Sequence, residues 1–263
     1  MTSNSHTGGP QKKLFFALPA YNEAQNLPKL LAELERAGAI CNSLGFDVHY
    51  VIVDDGSTDE TPLIASAWAQ KRQTTIITHC PNQGLGLTIS DALSTASSLA
   101  NEGDVIVTLD ADNTQPPGLI YSMLLKIMEG NDLVVASRYR YGSKVLGLAW
   151  HRHLMSFGAA TLFMITFPIA GIRDYTCGFR AYEAGFLKRA FEYHNGKLVT
   201  ERGFQCMAEI LLRLSKSEKY TSFVEVPMVL RYYQKQGDSK MRVVKTVFNT
   251  LKLLVKFRLG LNK

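Results

Sequence analysis

The feature that most constrains this chain is the alternation of short apolar segments with helical patterns over its first 140 residues. Five segments rich in β-branched or aromatic residues predict strands. They span residues 13–18, 48–53, 75–78, 104–109 and 133–137. Apolar strands separated by helices predict an α/β fold, in which helices cover both faces of a mostly parallel sheet.

Apolar residues at helical spacing fill the stretches between these strands. A run that begins at Leu27 predicts the first helix, with Asn26 as its possible N-cap. Ser57 or Thr58 is expected to cap a second helix that runs to about residue 72. A third helix is expected over 87–100, and a fourth after Pro116 and Pro117.

The composition is that of a globular protein with a substantial core. Apolar residues make up 46% of the 263 residues and charged residues 20%, which excludes a disordered, collagen-like or coiled-coil chain. The four cysteines are far apart and form no C-x-x-C pair, so we expect reduced thiols in a cytosolic protein. Residues 1–12 are polar and predict a disordered tail rather than a secretory signal.

One uncharged segment approaches the length of a membrane span. It runs for 19 residues, from Leu154 to Ile172, whereas a span needs about 20 predominantly apolar residues. Its polar residues, its glycines and Pro168 argue against a span. We expect a buried helix that ends near Pro168, or a helix lying on a membrane surface.

Acidic residues follow two of the predicted strands, at the edge where ligands bind in parallel sheets. Asp110 and Asp112 alternate in an extended segment and can face one ligand, so they are candidates to hold Mg²⁺ or Mn²⁺ together with substrate phosphates. Asp54 directly follows a strand, where a carboxylate can accept hydrogen bonds from a nucleobase or ribose. The alternatives are a solvated turn at Asp110 and helix capping after Asp54.

Several common nucleotide and hydrolase motifs are absent. The glycines of Asn82-x-Gly84-x-Gly86 are not a dinucleotide fingerprint, because the third glycine would fall at Ile89. The sequence contains no P-loop and no G-x-S-x-G motif. These absences argue against three classes of enzyme: dehydrogenases, nucleoside triphosphate hydrolases and serine hydrolases.

Four segments in order, LPAYNEAQNLPKLL, VDDGSTDET, NQGLG and LDADNTQPP, resemble family 2 glycosyltransferases of the GT-A (Rossmann-like) fold. The second half narrows the resemblance. The segments SRY, WHRxxxS, DYTCGFR and GDSKM resemble the dolichol-phosphate mannose synthase branch, whose members glycosylate a polyprenyl phosphate. The resemblance covers nearly the whole chain after residue 12, and it implies a GT-A domain over residues 13–235.

The resemblance also implies roles for individual residues. The donor nucleotide would contact the residues of the first three motifs and of the metal motif, with a lysine near the C-terminus: Pro19, Tyr21, Glu23, Asp54, Asp55, Asn82, Asp110 and Lys235. The metal would bind Asp110 and Asp112. The residues assigned to the acceptor phosphate and the reaction are Asp112, Arg138, Arg152, Ser156 and Arg180.

The chain departs from the family pattern at two positions. Cys177 stands where the family usually has serine. Gln234 stands where an arginine is common, so Lys235 is expected to contact the leaving diphosphate instead.

The resemblance implies a metal-dependent, inverting transfer of a hexose from a nucleotide diphosphate sugar to a polyprenyl phosphate, with GDP-mannose as first donor and UDP-glucose as second. The acceptor phosphate is already anionic and needs positioning rather than a general base. A transfer to a sugar hydroxyl is the alternative, and it needs a base, for which Glu201, Glu209 and Asp174 are candidates. A non-catalytic protein that binds nucleotide sugars is the second alternative.

The C-terminal segment carries the positive charge. Residues 235–263 contain eight Lys or Arg and one Asp, whereas the rest of the chain is nearly neutral. Apolar residues from Val244 to Val255 form a helical stripe beside a basic one, so 236–263 is a basic amphipathic segment expected to make peripheral contact with a membrane. A docked helix is the alternative. We expect no nucleic-acid partner, and a place at the cytoplasmic face of a membrane.

Overall fold

The structure, a computed structural model, describes residues 11–237 and 243–261, without the side chains of residues 151, 152, 154 and 243–245. Nine strands are present: β1 (Lys12–Ala20), β2 (Phe46–Asp54), β3 (Thr74–Thr78), β4 (Val105–Thr108), β5 (Leu133–Ser137), β6 (Lys144–Leu146), β7 (Arg180–Glu183), β8 (Phe223–Pro227) and β9 (Val229–Arg231). The eight α-helices are α1 (Leu27–Asn42), α2 (Thr61–Ala69), α3 (Leu85–Leu99), α4 (Ile120–Met128), α5 (Trp150–Thr166), α6 (Ala184–Tyr193), α7 (Cys206–Ser217) and α8 (Val243–Arg258). Both counts refer to the described residues.

The main sheet has seven strands in the order β3-β2-β1-β4-β7-β5-β8. All neighbouring pairs are parallel except the two that involve β7. The strands β6 and β9 form a separate parallel pair. The prediction of a mostly parallel α/β sheet is therefore confirmed.

Helices pack on both faces of this sheet. Contacts among α1, α2 and α4 define one layer, and contacts among α3, α6 and α7 define the other. The central strands are buried between the layers, with Phe15 and Phe16 of β1 fully inaccessible to solvent, whereas the edge strand β3 is only half-buried. The chain leaves β1 and β4 in opposite directions along the sheet, which places a crevice at their carboxyl ends.

All five predicted strands are present, but β1 begins at Lys12 and extends to Ala20. Its start lies inside the tail predicted for residues 1–12, of which residues 1–10 lie outside the described residues. Two strands of the main sheet, β7 and β8, were not predicted. The strand β7 has only four residues, with Arg180 and Glu183 at its ends, so it lacks an apolar run.

The predicted cap of the second helix is wrong. The helix α2 begins at Thr61, and Ser57 and Thr58 bond instead to the loop after β1. Ser57 Oγ accepts from the Asn22 amide at 2.9 Å, and Asn22 Oδ1 accepts from the Thr58 amide at 2.8 Å. These bonds join the loops that follow β1 and β2, which form one end of the crevice.

Asn26 is the N-cap residue of α1, but its side chain makes no capping bond. It pairs instead with the backbone of Gln236, donating to its carbonyl and accepting from its amide, both at 3.0 Å. The segment that follows β9 is thereby held against the start of α1.

The helices α5 and α8 lie against each other. The helix α5 ends before Pro168, as expected, but it is only partly buried: Ala160 and Phe163 face the core while Phe157 and Ile165 are exposed. Of the two expected alternatives, a buried helix describes only one side of α5, because the other side does not pack on the domain; a helix on a membrane surface stays a prediction. Among the described residues, no helix combines the length and hydropathy that a membrane crossing requires.

The helix α8 docks on the domain. Leu253, Leu254 and Phe257 are buried, and the Phe257 ring packs edge-on against Phe167. On the remaining surface of α8, Val247, Phe248, Leu251 and Val255 are exposed. The helix α8 is therefore docked on the domain, as the alternative to membrane contact predicted, and it also exposes apolar side chains to solvent.

Candidate functional site

A cavity of about 730 Å³ opens at the carboxyl ends of β1, β2 and β4. At one end it is lined by residues of the loops after these strands, including Tyr21, Asp55 and Asp110. At the other end its walls are α5, α8 and the segment around β9. The cavity therefore joins a polar half at the sheet edge to a largely apolar half between two helices.

Asp110 and Asp112 both line the polar half. Gln115 holds Asp110 in place: its amide nitrogen donates to Asp110 Oδ2 at 2.8 Å, and its oxygen accepts from the Asp110 amide. Thr114 donates to Asp112 Oδ1 from both its hydroxyl and its amide. The turn after β4 thus fixes both carboxylates at the cavity.

Burial and the neighbouring charge of Asp112 raise the pKa of Asp110 to about 7, although Lys235 and Arg138 partly offset them. A cation close to a buried pair of carboxylates stabilises their ionised form. Lys235 supplies one such charge, because its Nζ lies 2.8 Å from Asp112 Oδ2. Asp112 in turn raises the pKa of Lys235, against the effect of burial.

The donor atoms fit Mg²⁺ or Mn²⁺, since both are carboxylate oxygens and Asp110 Oδ1 takes part in no hydrogen bond among the described residues. Within the same residues, no cluster of three or more His, Cys, Asp or Glu side chains suited to a metal is present. A cation held here would take its remaining ligands from a diphosphate and water.

The ends of β1 and β2, and the loops that follow β1 and β3, carry the residues predicted for the nucleoside. Pro19, Tyr21 and Glu23 line the cavity, as does Asn82 of the loop after β3. Asp54 does not: it is 1% exposed, and its Oδ2 has no hydrogen-bond partner among the described residues. A contact between Asp54 and the nucleoside stays a prediction.

Asp55 organises the NQGLG loop. Its carboxylate accepts from Asn82 Nδ2 at 2.7 Å and from the amides of Gln83 and Gly84 at 2.8 and 2.9 Å. His79 Nδ1 lies 2.7 Å from the same carboxylate. These bonds within the protein explain the position of Asp55 at the strand end without a contact to substrate.

The two glycines of the loop are required by a close backbone approach. The Gly86 amide donates to the Arg202 carbonyl at 3.0 Å, and a Cβ atom on Gly86 would lie 1.7 Å from the Glu201 carbonyl oxygen. Gly84 has a φ of +93°, which favours glycine, and a Cβ there would lie 2.9 Å from the Arg202 carbonyl oxygen. Residues 201 and 202 therefore cross directly over this loop.

Gly86→Ala is expected to destabilise the protein, because the added methyl group must displace the backbone at Glu201. Overpacking of this kind costs about 1–3 kcal/mol or more. Chemical denaturation would measure the loss, with Gly118→Ala as the control, since a Cβ on Gly118 meets nothing within 4 Å. Equal stabilities of the two variants would contradict the close approach.

Arg138 lines the cavity and forms a buried ion pair. Its Nε and Nη2 donate to the two carboxylate oxygens of Asp174 at 2.8 and 2.7 Å, and Nη2 also donates to Thr176. Burial alone would raise the pKa of Asp174, but the charge and hydrogen bonds of Arg138 hold it below its ordinary value. Arg138 Nη1 makes no bond within the described residues.

Ser156 lies on α5 and lines the cavity, where its hydroxyl meets the Tyr139 hydroxyl at 2.8 Å. Tyr139 follows Arg138, so this bond joins the loop after β5 to α5. The Arg152 side chain lies outside the described residues, as do residues 238–241 of the GDSKM segment. Their contacts with an acceptor phosphate stay predictions.

The prediction that Arg180 contacts substrate needs correction. Arg180 is fully buried in β7 and does not line the cavity. Its Nη2 donates to the Tyr175 carbonyl at 2.9 Å. The G-F-R segment lies near the site because β7, which begins at Arg180, pairs with β4, and Asp110 follows β4 by two residues.

The three candidate bases are already engaged. Asp174 is paired with Arg138, and the Glu209 carboxylate is buried with Thr200, the Glu201 amide and Arg213. Glu201 pairs with Lys256 of α8 at 2.7 Å and with Gln205. Burial acts to raise the pKa of Glu201, but these hydrogen bonds lower it overall.

Several residues of the site were not found from the sequence. Gln115 holds Asp110, Thr176 holds Arg138, and His79 holds Asp55. Gln115 lies inside the motif LDADNTQPP and Thr176 inside DYTCGFR, although neither residue was assigned a role. His79 lies outside these motifs, and its place follows from the meeting of separate loops, which no local pattern indicates.

A family model described as glycosyl transferase family 2 matches residues 16–191. A dolichol-phosphate mannosyltransferase of Pyrococcus furiosus is 32% identical over 91% of this chain and 62% of its own length. A polyprenol monophosphomannose synthase of Mycolicibacterium smegmatis is 29% identical over 88% of this chain and 82% of its own. The chain thus spans less than two thirds of the first of these relatives.

Solved structures share the fold. A mycobacterial protein superposes with a TM-score of 0.64 at 16% identity, over 93% of this chain and 75% of its own. A mannosyltransferase of Pyrobaculum calidifontis in complex with GDP-Man and Mn²⁺ superposes with a TM-score of 0.53 at 15% identity, over 94% of this chain and 70% of its own.

Proposed function

The chain belongs to glycosyl transferase family 2, and we propose that it transfers a hexose from a nucleotide diphosphate sugar to a polyprenyl phosphate. Mannose from GDP-mannose is the first donor to test, and glucose from UDP-glucose is the second. The names of the two relatives support the acceptor class. The observation that carries the proposal is one cavity that joins paired carboxylates at the sheet edge to an apolar groove between α5 and α8.

In the polar half, the nucleoside lies among Pro19, Tyr21, Glu23 and the NQGLG loop, with its diphosphate toward Asp110 and Asp112. Mg²⁺ or Mn²⁺ bound there would neutralise the charge that grows on the leaving diphosphate. Lys235 is the cationic side chain beside the same carboxylates, and on departure of the sugar it binds the diphosphate as well.

In the other half, the acceptor phosphate lies near Arg138 and Ser156, both of which line the cavity. Asp174 and Thr176 hold Nε and Nη2 of Arg138 and so fix the direction of Nη1, which is the nitrogen left to donate a charge-assisted hydrogen bond to a phosphate oxygen. The phosphate oxygen attacks the sugar opposite the leaving diphosphate, so the transfer inverts the anomeric centre.

This transfer needs no general base, because a phosphate monoester is largely ionised at neutral pH. The engagement of Asp174, Glu201 and Glu209 in other bonds is in keeping with that chemistry. A hydroxyl acceptor would need one of these groups to be available at the cavity.

The test is incubation of the purified protein with GDP-mannose or UDP-glucose, a divalent cation and either a short polyprenyl phosphate or a soluble oligosaccharide. We expect a lipid-linked sugar and no extended oligosaccharide. Formation of the extended oligosaccharide alone would contradict the phosphate acceptor and favour a transferase that acts on a sugar hydroxyl. Nucleotide binding without either product would favour a non-catalytic protein.

The second part of the proposal is peripheral contact with the cytoplasmic face of a membrane. The apolar rim, which we define as Met155, Phe157, Leu162 and Ile165 of α5 and Val247, Phe248, Leu251 and Val255 of α8, is exposed. Met155, Leu162, Val247 and Leu251 also line the cavity. A polyprenyl chain leaving the cavity would therefore meet apolar side chains and then lipid, while Lys252 and Arg258 can face anionic headgroups.

Phe248→Ser combined with Val255→Ser is expected to weaken binding to anionic vesicles. The two side chains are 68% and 56% exposed, so the protein loses little core packing. Burying one such side chain is worth about 1.5–3 kcal/mol, so the partition coefficient should fall by at least about tenfold. Co-sedimentation with vesicles at low and high salt measures this.

The matched control is Leu63→Ser on α2, where the side chain is 71% exposed but lies outside the rim. It should leave partitioning unchanged. Vesicle binding that survives the double substitution, or falls equally in the control, would contradict the membrane role of the rim.

A further inference from the structure

His79 lies between two carboxylates. Its Nδ1 is 2.7 Å from Asp55 Oδ1, and its Nε2 is 2.9 Å from Asp91 Oδ2. The imidazole is nearly inaccessible, with 6% of the side chain exposed. Asp55 directly follows β2, His79 directly follows β3, and Asp91 belongs to α3. The His79 ring therefore connects the end of β2 to α3.

This geometry requires both ring nitrogens to donate. An ionised carboxylate only accepts hydrogen bonds, and a neutral imidazole carries a single N–H. A neutral His79 would therefore turn a lone pair toward one of the two aspartates. The doubly protonated imidazolium satisfies both contacts and places one positive charge between two negative ones.

The contact with Asp55 extends to the cavity. The same carboxylate accepts from Asn82 Nδ2 and from the amides of Gln83 and Gly84. Asn82 and Gly84 line the polar half of the cavity. The position of these two residues therefore depends on an aspartate whose own position depends on His79.

We propose that His79 is a positioning residue for the nucleotide, which as an imidazolium fixes Asp55 and, through Asp55, the segment 82–84 of the cavity wall. The inference rests on the proposed function, since it assigns this wall to the donor. His79 itself touches neither the nucleotide nor the sugar.

The charged groups that face the ring, within the described residues, are Asp55 at the end of β2 and Asp91 on α3. Burial alone would lower the pKa of His79, but hydrogen bonds to Asp55 and Asp91 and their charges raise it above its ordinary value. A raised pKa in the folded state means that the stabilisation is complete below about pH 6.5. It is lost as the pH rises through the folded-state pKa.

His79→Gln is the informative variant, because the NH₂ group of glutamine can still donate a hydrogen bond to one aspartate but the side chain carries no charge. His49→Gln is the matched control: His49 lies on β2, half-buried, with Nε2 2.9 Å from the Thr75 hydroxyl and, in the part of the chain that the structure describes, no carboxylate partner. Asp91→Asn removes one of the two negative charges beside the His79 ring and leaves Asp55 unchanged. It should therefore lower the pKa of His79 while the bonds from Asp55 to the 82–84 segment remain.

The first measurement needs no ligand. NMR of the His79 ring is expected to show a doubly protonated imidazolium at neutral pH and a lower pKa in Asp91→Asn. Protection of the Gln83 and Gly84 amides against hydrogen exchange should fall as His79 loses its proton, and should be low at every pH in His79→Gln. A neutral ring at pH 6, or protection of both amides that does not follow the ring titration, would overturn the proposal.

The second measurement is calorimetric titration with GDP and with UDP in the presence of Mg²⁺. For whichever nucleotide binds, His79→Gln should weaken affinity about tenfold, the effect of losing one charge-assisted contact. His49→Gln should not. Steady-state rates should show a higher KM for the donor at nearly unchanged kcat and unchanged KM for polyprenyl phosphate.

The outcomes separate this inference from the proposed function. Tight nucleotide binding that is equal in the wild type and His79→Gln would overturn the role of His79 and leave the function intact. Failure of the wild type to bind either nucleotide would contradict the proposed function, while the ring titration and the amide protection would still decide whether His79 holds the loop.

Discussion

Asp112→Ala is expected to lower kcat by about 10²–10³-fold, the loss that follows removal of one preorganised group that stabilises transition-state charge. The effect should arise in two ways. The variant removes a proposed metal ligand, and it also frees Lys235, whose Nζ lies 2.8 Å from Asp112. We expect the fold to survive, because the Asp112 carboxylate is held by Thr114 of its own turn and by this one lysine.

The measurement is turnover of the nucleotide sugar with polyprenyl phosphate at saturating Mg²⁺ or Mn²⁺. Removal of divalent cations by chelator should inactivate the wild type, and the added metal should restore it. Asp47→Ala is the control, since Asp47 is an exposed carboxylate at the start of β2, where it accepts from Gln11. Full activity of the wild type in chelator would exclude a required metal at this site.

Much of the fold could be predicted because β1, β2, β4 and β5 are mostly buried and therefore form continuous apolar runs, while the edge strand β3 is only half-buried but rich in β-branched residues. The strand β7 could not, since Arg180 and Glu183 give it no such pattern and only pairing with β4 and β5 makes it a strand. The cap of α2 was mispredicted because Ser57 and Thr58 are good capping residues locally. Their bonds to Asn22 outcompete that preference, and Asn22 is 35 and 36 residues away.

The candidate site divides in the same way. Asp110 and Asp112 could be predicted because two carboxylates at a strand end are visible in the sequence. His79 could not, since its partners Asp55 and Asp91 are 24 residues before it and 12 after it. They meet because β2 and β3 are neighbours and α3 returns across the sheet, which is a tertiary relation rather than a local one.

Asp174→Ala is expected to destabilise the protein by about 3–5 kcal/mol, because it leaves the Arg138 guanidinium as an uncompensated charge that is largely buried. Asp174 itself is completely buried, and Arg138 exposes only 16% of its side chain. The double variant Arg138→Met with Asp174→Leu removes both charges, so it should be more stable than Asp174→Ala alone. Chemical denaturation of the three proteins measures the difference.

The same pair predicts a dependence on pH. Because Arg138 holds the pKa of Asp174 below its ordinary value, the stabilisation is present above about pH 4, near the ordinary carboxyl pKa. It is lost as the pH falls through the folded-state value. The stability gap between the wild type and Asp174→Ala should therefore narrow in acid.

Activity separates the two possible roles of Asp174. As the partner of Arg138, it would act on the proposed acceptor phosphate through the guanidinium group, so the stable double variant should bind the nucleotide normally yet use polyprenyl phosphate poorly. Loss of a charge-assisted contact of about 1.5–3 kcal/mol corresponds to about 10- to 150-fold in acceptor efficiency. A general base would behave differently: kcat would follow its ionisation with pH, and a variant with Arg138 intact and Asp174 changed to Asn would lose kcat rather than acceptor affinity. That second pattern would indicate transfer to a hydroxyl acceptor and would contradict the binding of an acceptor phosphate beside Arg138.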